Sequence, residues 1–362
     1  MKQEARVRSS EYMQWAKMRS QARFNLSSSG LAHFPLAKLP VTLEELEISG
    51  PTFYGYEPLQ RLLAEKSDVT TDCVVAATGT SMANHLAMAS LIEAGEEVLI
   101  EHPTYELLLS LARYLGAEVK RFSRSFENGF RIDLQEIEGA VTERTKLIVL
   151  TNLHNPSSTL TDSDTLKQIG ELAGSVGARV LVDEVYLDAA FDLQPRSAFH
   201  LGEEFITTNS LTKVYGLSGL RCGWILAEPK LAERMWRLND LFGVNPSHTA
   251  ELLSCIALKH LDQVASHART LLETNRQELN RFFDTRDDLE SIKLEYGTVS
   301  FPRVKSGNAE DLCALLREKY ETSVVPGSFF EMPQHIRIGI GGDTETLTAG
   351  LERLGDALDE VS

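Results

Sequence analysis

From about Asp72 onward, short apolar runs alternate with stretches whose apolar residues recur at helical spacing. The runs are 73–77 (CVVAA), 97–100 (EVLI), 117–122 (AEVKRF), 146–150 (KLIVL), 179–183 (RVLVD), 205–210 (FITTNS) and 223–227 (GWILA). Between them lie helical patterns such as SMANHLAMASLIEAG and YELLLSLARYLG. Strands apolar on both faces that alternate with helices predict an α/β fold with a mostly parallel sheet of seven-stranded type, covered by helices. Residues 228–288 read as long helices, 291–304 as a strand, 308–320 as a helix, 335–340 as a strand and 344–357 as a closing helix. The first 45 residues read as irregular, broken by Pro35 and Pro40. The expected division is a large domain over 46–288 and a smaller α+β domain built from 1–45 and 289–362.

Composition narrows the function classes. Among 362 residues, 43% are apolar and 24% charged, and the net charge is −16, which removes the basic face that nucleic-acid binding needs. No run of about 18 apolar residues predicts a membrane span, and the N-terminal stretch lacks the apolar core of a secretory signal. Cys73, Cys222, Cys255 and Cys313 are widely spaced and read as reduced buried thiols, so no zinc site is expected. A cytoplasmic enzyme acting on small molecules is the expectation.

In open parallel sheets, ligands bind beyond the carboxyl ends of the strands, and the reactive residues of this chain cluster at such ends. After 205–210 come Ser210, Thr212, Lys213 and, eight residues on, Arg221, a set suited to a phosphorylated aldehyde. Two unrelated surface cations are the plainer alternative. Asp183 closes an apolar strand and needs a cationic partner, for which a protonated pyridine nitrogen would serve. Tyr186, three residues on, could reach a ring hydroxyl. An Asp that merely caps a loop is common. Asn155 precedes Pro156 in a turn and could hold a ring oxygen. Gly79, Thr80 and Ser81 open a helix, where backbone N–H groups seat phosphate. Tyr105 suits stacking on a flat ring or ordinary core packing. Arg337, inside an apolar strand, asks for a carboxylate, from a substrate or from elsewhere in the chain.

Taken together, S-x-[ST]-K followed by G-x-R-x-G, the D-E-x-Y strand end, the N-P turn and the late R-I-G strand resemble the class I/II aminotransferases. These are pyridoxal-phosphate enzymes of fold type I, and the resemblance runs from Gly30 to the C-terminal helix. It implies Lys213 as the lysine bonded to pyridoxal 5'-phosphate (PLP) and as the proton shuttle, Asp183 on the pyridine nitrogen, and Asn155 with Tyr186 on the ring 3'-oxygen. It further implies Thr80, Ser81, Ser210 and Arg221 on the phosphate, Tyr105 on the ring, Arg337 on the substrate α-carboxylate, and Gly30 as the small residue that admits substrate. The expected reaction transfers an amino group between an L-amino acid and a 2-oxo acid, in a homodimer. The same residues also support carbon–sulfur β-lysis or decarboxylation. The tyrosine that such enzymes send into the neighbouring subunit has no clear equivalent here beyond Tyr54 or Tyr56. No G-x-G-x-x-G turn follows the early strands, which removes a nicotinamide oxidoreductase.

Overall fold

The computed structural model describes residues 7–51 and 53–361. Its centre is a sheet of seven strands, here β1 (Val74–Thr78), β2 (Glu97–His102), β3 (Glu118–Ser123), β4 (Thr145–Thr151), β5 (Arg179–Asp183), β6 (Phe205–Ser210) and β7 (Cys222–Leu226). The spatial order is β1-β7-β6-β5-β4-β2-β3. All neighbours are parallel except β7, which runs antiparallel to both β1 and β6.

The apolar runs have a direct structural cause. Along β4, Leu147 and Val149 pack into one apolar layer while Ile148 and Leu150 pack into another, and all four are inaccessible to solvent. Each successive side chain faces the opposite side of the sheet, so a strand covered on both sides is apolar at successive positions, as β4 is from Leu147 to Leu150. Helices Gly79–Leu91 and Glu106–Leu115 cover the first face, and Ser163–Ser175 covers the second. Helices Pro229–Asn239, His248–Lys259 and Leu261–Asp284 follow the sheet, as the periodicity predicts.

Chain ends meet each other. Phe24–Asn25 pairs in parallel with Thr322–Ser323, and the Gly339 N–H donates to the Leu26 carbonyl at 2.7 Å. Strand Ile336–Gly339 lies between Val299–Ser300 and Val325–Pro326.

Two expectations need correction. The first 45 residues are not wholly irregular, because Glu11–Met18 is a helix whose N-cap, Ser10, accepts from the Met13 N–H at 3.0 Å. Eight residues are too few to hold a helix alone; Tyr12 and Trp15 stabilise it by packing on Phe329, with Tyr12 also meeting Phe330 and Tyr105. The single strand expected over 291–304 is instead two two-residue strands, Val299–Ser300 and Arg303–Val304, the second pairing with Leu289–Glu290 just before the range. Gly297, at φ +85°, turns the chain, and Pro302 has no N–H for a ladder.

Candidate active site

The carboxyl ends of β1, β4, β5 and β6 open on one edge of the sheet. Because β7 is antiparallel, its first residue lies at that same edge, with Cys222 opposite Thr78. Arg221 therefore reaches the site from the start of a strand rather than from its end. A cavity of about 380 Å³ occupies this edge, within the usual range for small-molecule sites. Thr80, Ser81, Tyr105, Asn155, Asp183, Tyr186, Ser210, Thr212, Lys213 and Arg221 all line it. Of the residues predicted from sequence, Gly30, Gly79 and Arg337 do not line it, and each stands directly behind a residue that does.

Gly30 lies against Lys213, whose Cδ would be 2.9 Å from a β-carbon at that position. The Leu31 N–H donates to the Lys213 carbonyl at 2.8 Å, fixing the lysine backbone from the N-terminal segment. Lys213 Nζ donates to Ser29 Oγ at 3.1 Å. Burial first, then the positive charges of Arg337 and Arg221, push the amine down to about 8, with Asp183 acting in the opposite sense.

Asp183 is buried, accepting from Asn84 Nδ2 at 2.8 Å on one oxygen and from the Val185 N–H at 3.1 Å on the other. Burial pushes its carboxyl up to about 6, against those two hydrogen bonds and the charge of Lys213. Burial likewise holds the Tyr186 phenol well above its ordinary value. Tyr105 stands edge-on to Tyr12, ring centroids 5.8 Å apart, with its hydroxyl 3.7 Å from Met13 Sδ.

A buried relay places Asn155. Arg124 Nη1 donates to Glu101 Oε2 at 2.8 Å, and Glu101 Oε1 accepts from both the N–H and hydroxyl of Thr151. Thr151 Oγ1 in turn accepts from the Asn155 N–H at 2.9 Å. The asparagine Oδ1 then accepts from Arg337 Nη1 at 3.1 Å, which leaves its amide nitrogen available to a ligand. Arg337 is fully buried; its other partners are the Tyr12 hydroxyl at 2.8 Å and the Ser27 carbonyl at 3.1 Å. None of these is a carboxylate, and Nε has no partner among the described residues.

The residues fit pyridoxal phosphate. The buried hydroxyls of Thr80 and Thr212 have no hydrogen-bond partner among the described residues. Thr80 opens the Gly79–Leu91 helix, and Arg221 lies above that same helix start, close enough that a β-carbon on Gly79 would meet its guanidinium. Unused hydroxyls, a helix N-terminus and a guanidinium at one point are what a phosphate dianion requires. Among the described residues, no cluster of His, Cys, Asp and Glu is arranged to hold a metal.

Among the cavity residues that escaped the sequence are Tyr12, Ser29 and Asn84. Asn84 carried a signal, a polar residue on the buried helix face that also presents Ala83, Leu86 and Ala87. Tyr54 and Tyr56 both stand outside this cavity. Tyr54 donates to Asp240 Oδ2 at 2.8 Å, and Tyr56 packs on His248 with centroids 4.9 Å apart.

Fold and site define an enzyme that uses pyridoxal 5'-phosphate. Residues 48–354 match the model of the aminotransferase class I and II family, and the chain belongs to that family. It is 28% identical to capreomycidine synthase of Streptomyces vinaceus over 93% of this chain and 90% of that one. It is 27% identical to a probable aspartate/prephenate aminotransferase of Aquifex aeolicus, over 83% of this chain and 80% of that one. Among solved structures, a PLP-dependent aminotransferase from Streptococcus suis superposes with a TM-score of 0.93 at 26% identity, over 99% of both chains.

Proposed function

We propose that this enzyme moves an amino group between an L-amino acid and a 2-oxo acid. The observation that carries the reading is Arg337, a buried guanidinium held by Asn155, Tyr12 and Ser27 with no carboxylate among these partners. A buried cation without a counter-charge is costly, and an α-carboxylate would supply one beside the lysine. When bound, pyridoxal phosphate supplies an electrophilic carbon for the amine and a ring that takes up the electron pair left at the α-carbon.

The protein's part follows from its own groups. Lys213 would be the residue that holds the cofactor, and its amine, when free, would take and return the proton of the substrate α-carbon. With its pKa near 8, the lysine is neutral often enough to act as a base close to neutral pH. Asp183 would keep a proton on the ring nitrogen, and Asn155 and Tyr186 would hold the ring oxygen. Thr80, Ser81, Ser210 and Arg221 would anchor the phosphate, and Tyr105 would stack on the ring. We also take residues 1–45 with 289–362 as a smaller domain beside the 46–288 cofactor-binding domain. The enzyme in this reading is a cytoplasmic homodimer. Support for pairing comes from exposed Phe53, Leu241, Phe242 and Val244, in segments joined by the Tyr54–Asp240 hydrogen bond.

A second reading, a different reaction at the same carbon such as β-lysis, decarboxylation or cyclisation, is favoured by the relative named as a synthase. Incubating the loaded enzyme with single L-amino acids separates the two. Transamination predicts a 2-oxo acid product, cofactor converted to its pyridoxamine form, and recovery on adding a second 2-oxo acid. Release of ammonia or carbon dioxide with no pyridoxamine form would point to the second reading.

A further inference from the structure

Asn84 lies in the helix Gly79–Leu91, on the face turned to β5 and β6. Its amide nitrogen donates to Asp183 Oδ2 at 2.8 Å, and its carbonyl accepts from Thr208 Oγ1 at 2.6 Å. Asp183 and Thr208 are register partners across β5 and β6, so one amide bridges two adjacent strands. All three side chains are buried. An amide in such a place is tolerated only with both ends bonded. The Thr208 hydroxyl on its oxygen fixes which way it points, since the reversed amide would set a carbonyl against a carboxylate.

We propose that Asn84, locked by Thr208, is a positioning residue that aims Asp183 and keeps the proton shared by Asp183 and the cofactor ring nitrogen on the ring. The inference rests on the reading that Asp183 faces that nitrogen. A buried carboxylate opposite a protonated pyridine can take the proton, giving a neutral pair that a low-dielectric site favours. Hydrogen bonds donated to the ionised carboxylate oppose that transfer, and the structure supplies two, from Asn84 and from the Val185 N–H. The charged group that acts on Asp183 across the cavity is Lys213, and its charge and the two hydrogen bonds all favour the ionised carboxylate. With both in place burial still lifts the carboxyl to about 6, which leaves little margin for losing one.

The test uses enzyme loaded with pyridoxal phosphate carrying ¹⁵N at the ring nitrogen. The ring-nitrogen chemical shift is read in the wild type, Asn84→Leu, Thr208→Val and Asp183→Asn, beside thermal melting of each. The inference expects Asp183→Asn to move the shift fully to the unprotonated position, Asn84→Leu to move it most of that way, and Thr208→Val part of the way. The accompanying loss of cofactor affinity for Asn84→Leu is about tenfold, the equivalent of one hydrogen bond to a charged group. A merely structural Asn84 lowers the melting temperature while the shift stays at its wild-type value, and that result overturns the proposal. Should Asn84→Leu fail to fold, an unmoved shift in the near-isosteric Thr208→Val overturns it equally. An unmoved shift in Asp183→Asn would instead remove the premise about Asp183, and the proposal with it.

Discussion

Replacing Gly79 by alanine separates the phosphate seat from the fold that carries it. At φ +75° the residue is in the left-handed region, where a β-carbon costs about 1–2 kcal/mol. That β-carbon would also meet the Arg221 guanidinium, with Cζ only 2.8 Å away. The guanidinium is the far end of a flexible side chain, so it yields by swinging away from the helix start. Its loss removes at least one charge-assisted bond to phosphate, worth about 1.5–3 kcal/mol, or about 10- to 150-fold in the dissociation constant of pyridoxal phosphate. Gly177 supplies the control: φ is +73°, and no atom lies within 4 Å of a β-carbon there. Gly177→Ala therefore carries a similar backbone cost and leaves the seat alone. Cofactor titration of the apo-enzymes, followed by fluorescence, and denaturant unfolding give the two quantities separately. Equal cofactor affinity in Gly79→Ala and Gly177→Ala would refute the placement of phosphate under Arg221.

Two further predictions use the same protein. Arg337→Lys keeps the charge but loses the fork held by Asn155, Tyr12 and Ser27, so KM for the amino acid rises about 10- to 100-fold, from one lost bond of charged type. Steady-state kinetics with a parallel cofactor titration checks this, and an unchanged KM means the carboxylate binds elsewhere. Glu184, bonded to Ser197 Oγ and the Ala198 N–H, is pushed by burial from 4.5 up to about 8. The folded protein thus holds an extra proton between those values, so this group's contribution to stability falls as pH rises from about 4.5 through 8. Glu184→Gln removes that slope, and melting of both apo-proteins across the pH range shows whether the curves diverge as stated.

What the sequence revealed and what it hid follow from where the information sits. β4 and β5 were legible because burial on both faces leaves an apolar run, so Asp183 stood out as the carboxylate that ends one, while Lys213 stood out just past Phe205–Ser210 between Thr212 and Gly216. Arg221 was legible as a residue, but its route into the site depends on the antiparallel setting of β7, which a bare apolar run does not encode. The helix Glu11–Met18 is stabilised by Phe329 and Phe330, more than 300 positions away, and local periodicity over eight residues says little against that. Ser29 reaches Lys213 because Gly30 and Leu31 dock on the lysine backbone, a contact with no local trace. Asn84 escaped notice although it is a polar residue on an apolar helix face, because its partners Asp183 and Thr208 come together only through the sheet register.

The covalent role of Lys213 is the centre of this account, and one measurement addresses it directly. Purified enzyme is loaded with pyridoxal phosphate, reduced with borohydride, digested and weighed peptide by peptide, beside Lys213→Ala treated identically. The account predicts that the mass of the reduced cofactor appears on the peptide carrying Lys213, and that no peptide of Lys213→Ala carries it. Cofactor fixed by reduction to a different lysine, or still covalently attached in Lys213→Ala, would contradict it.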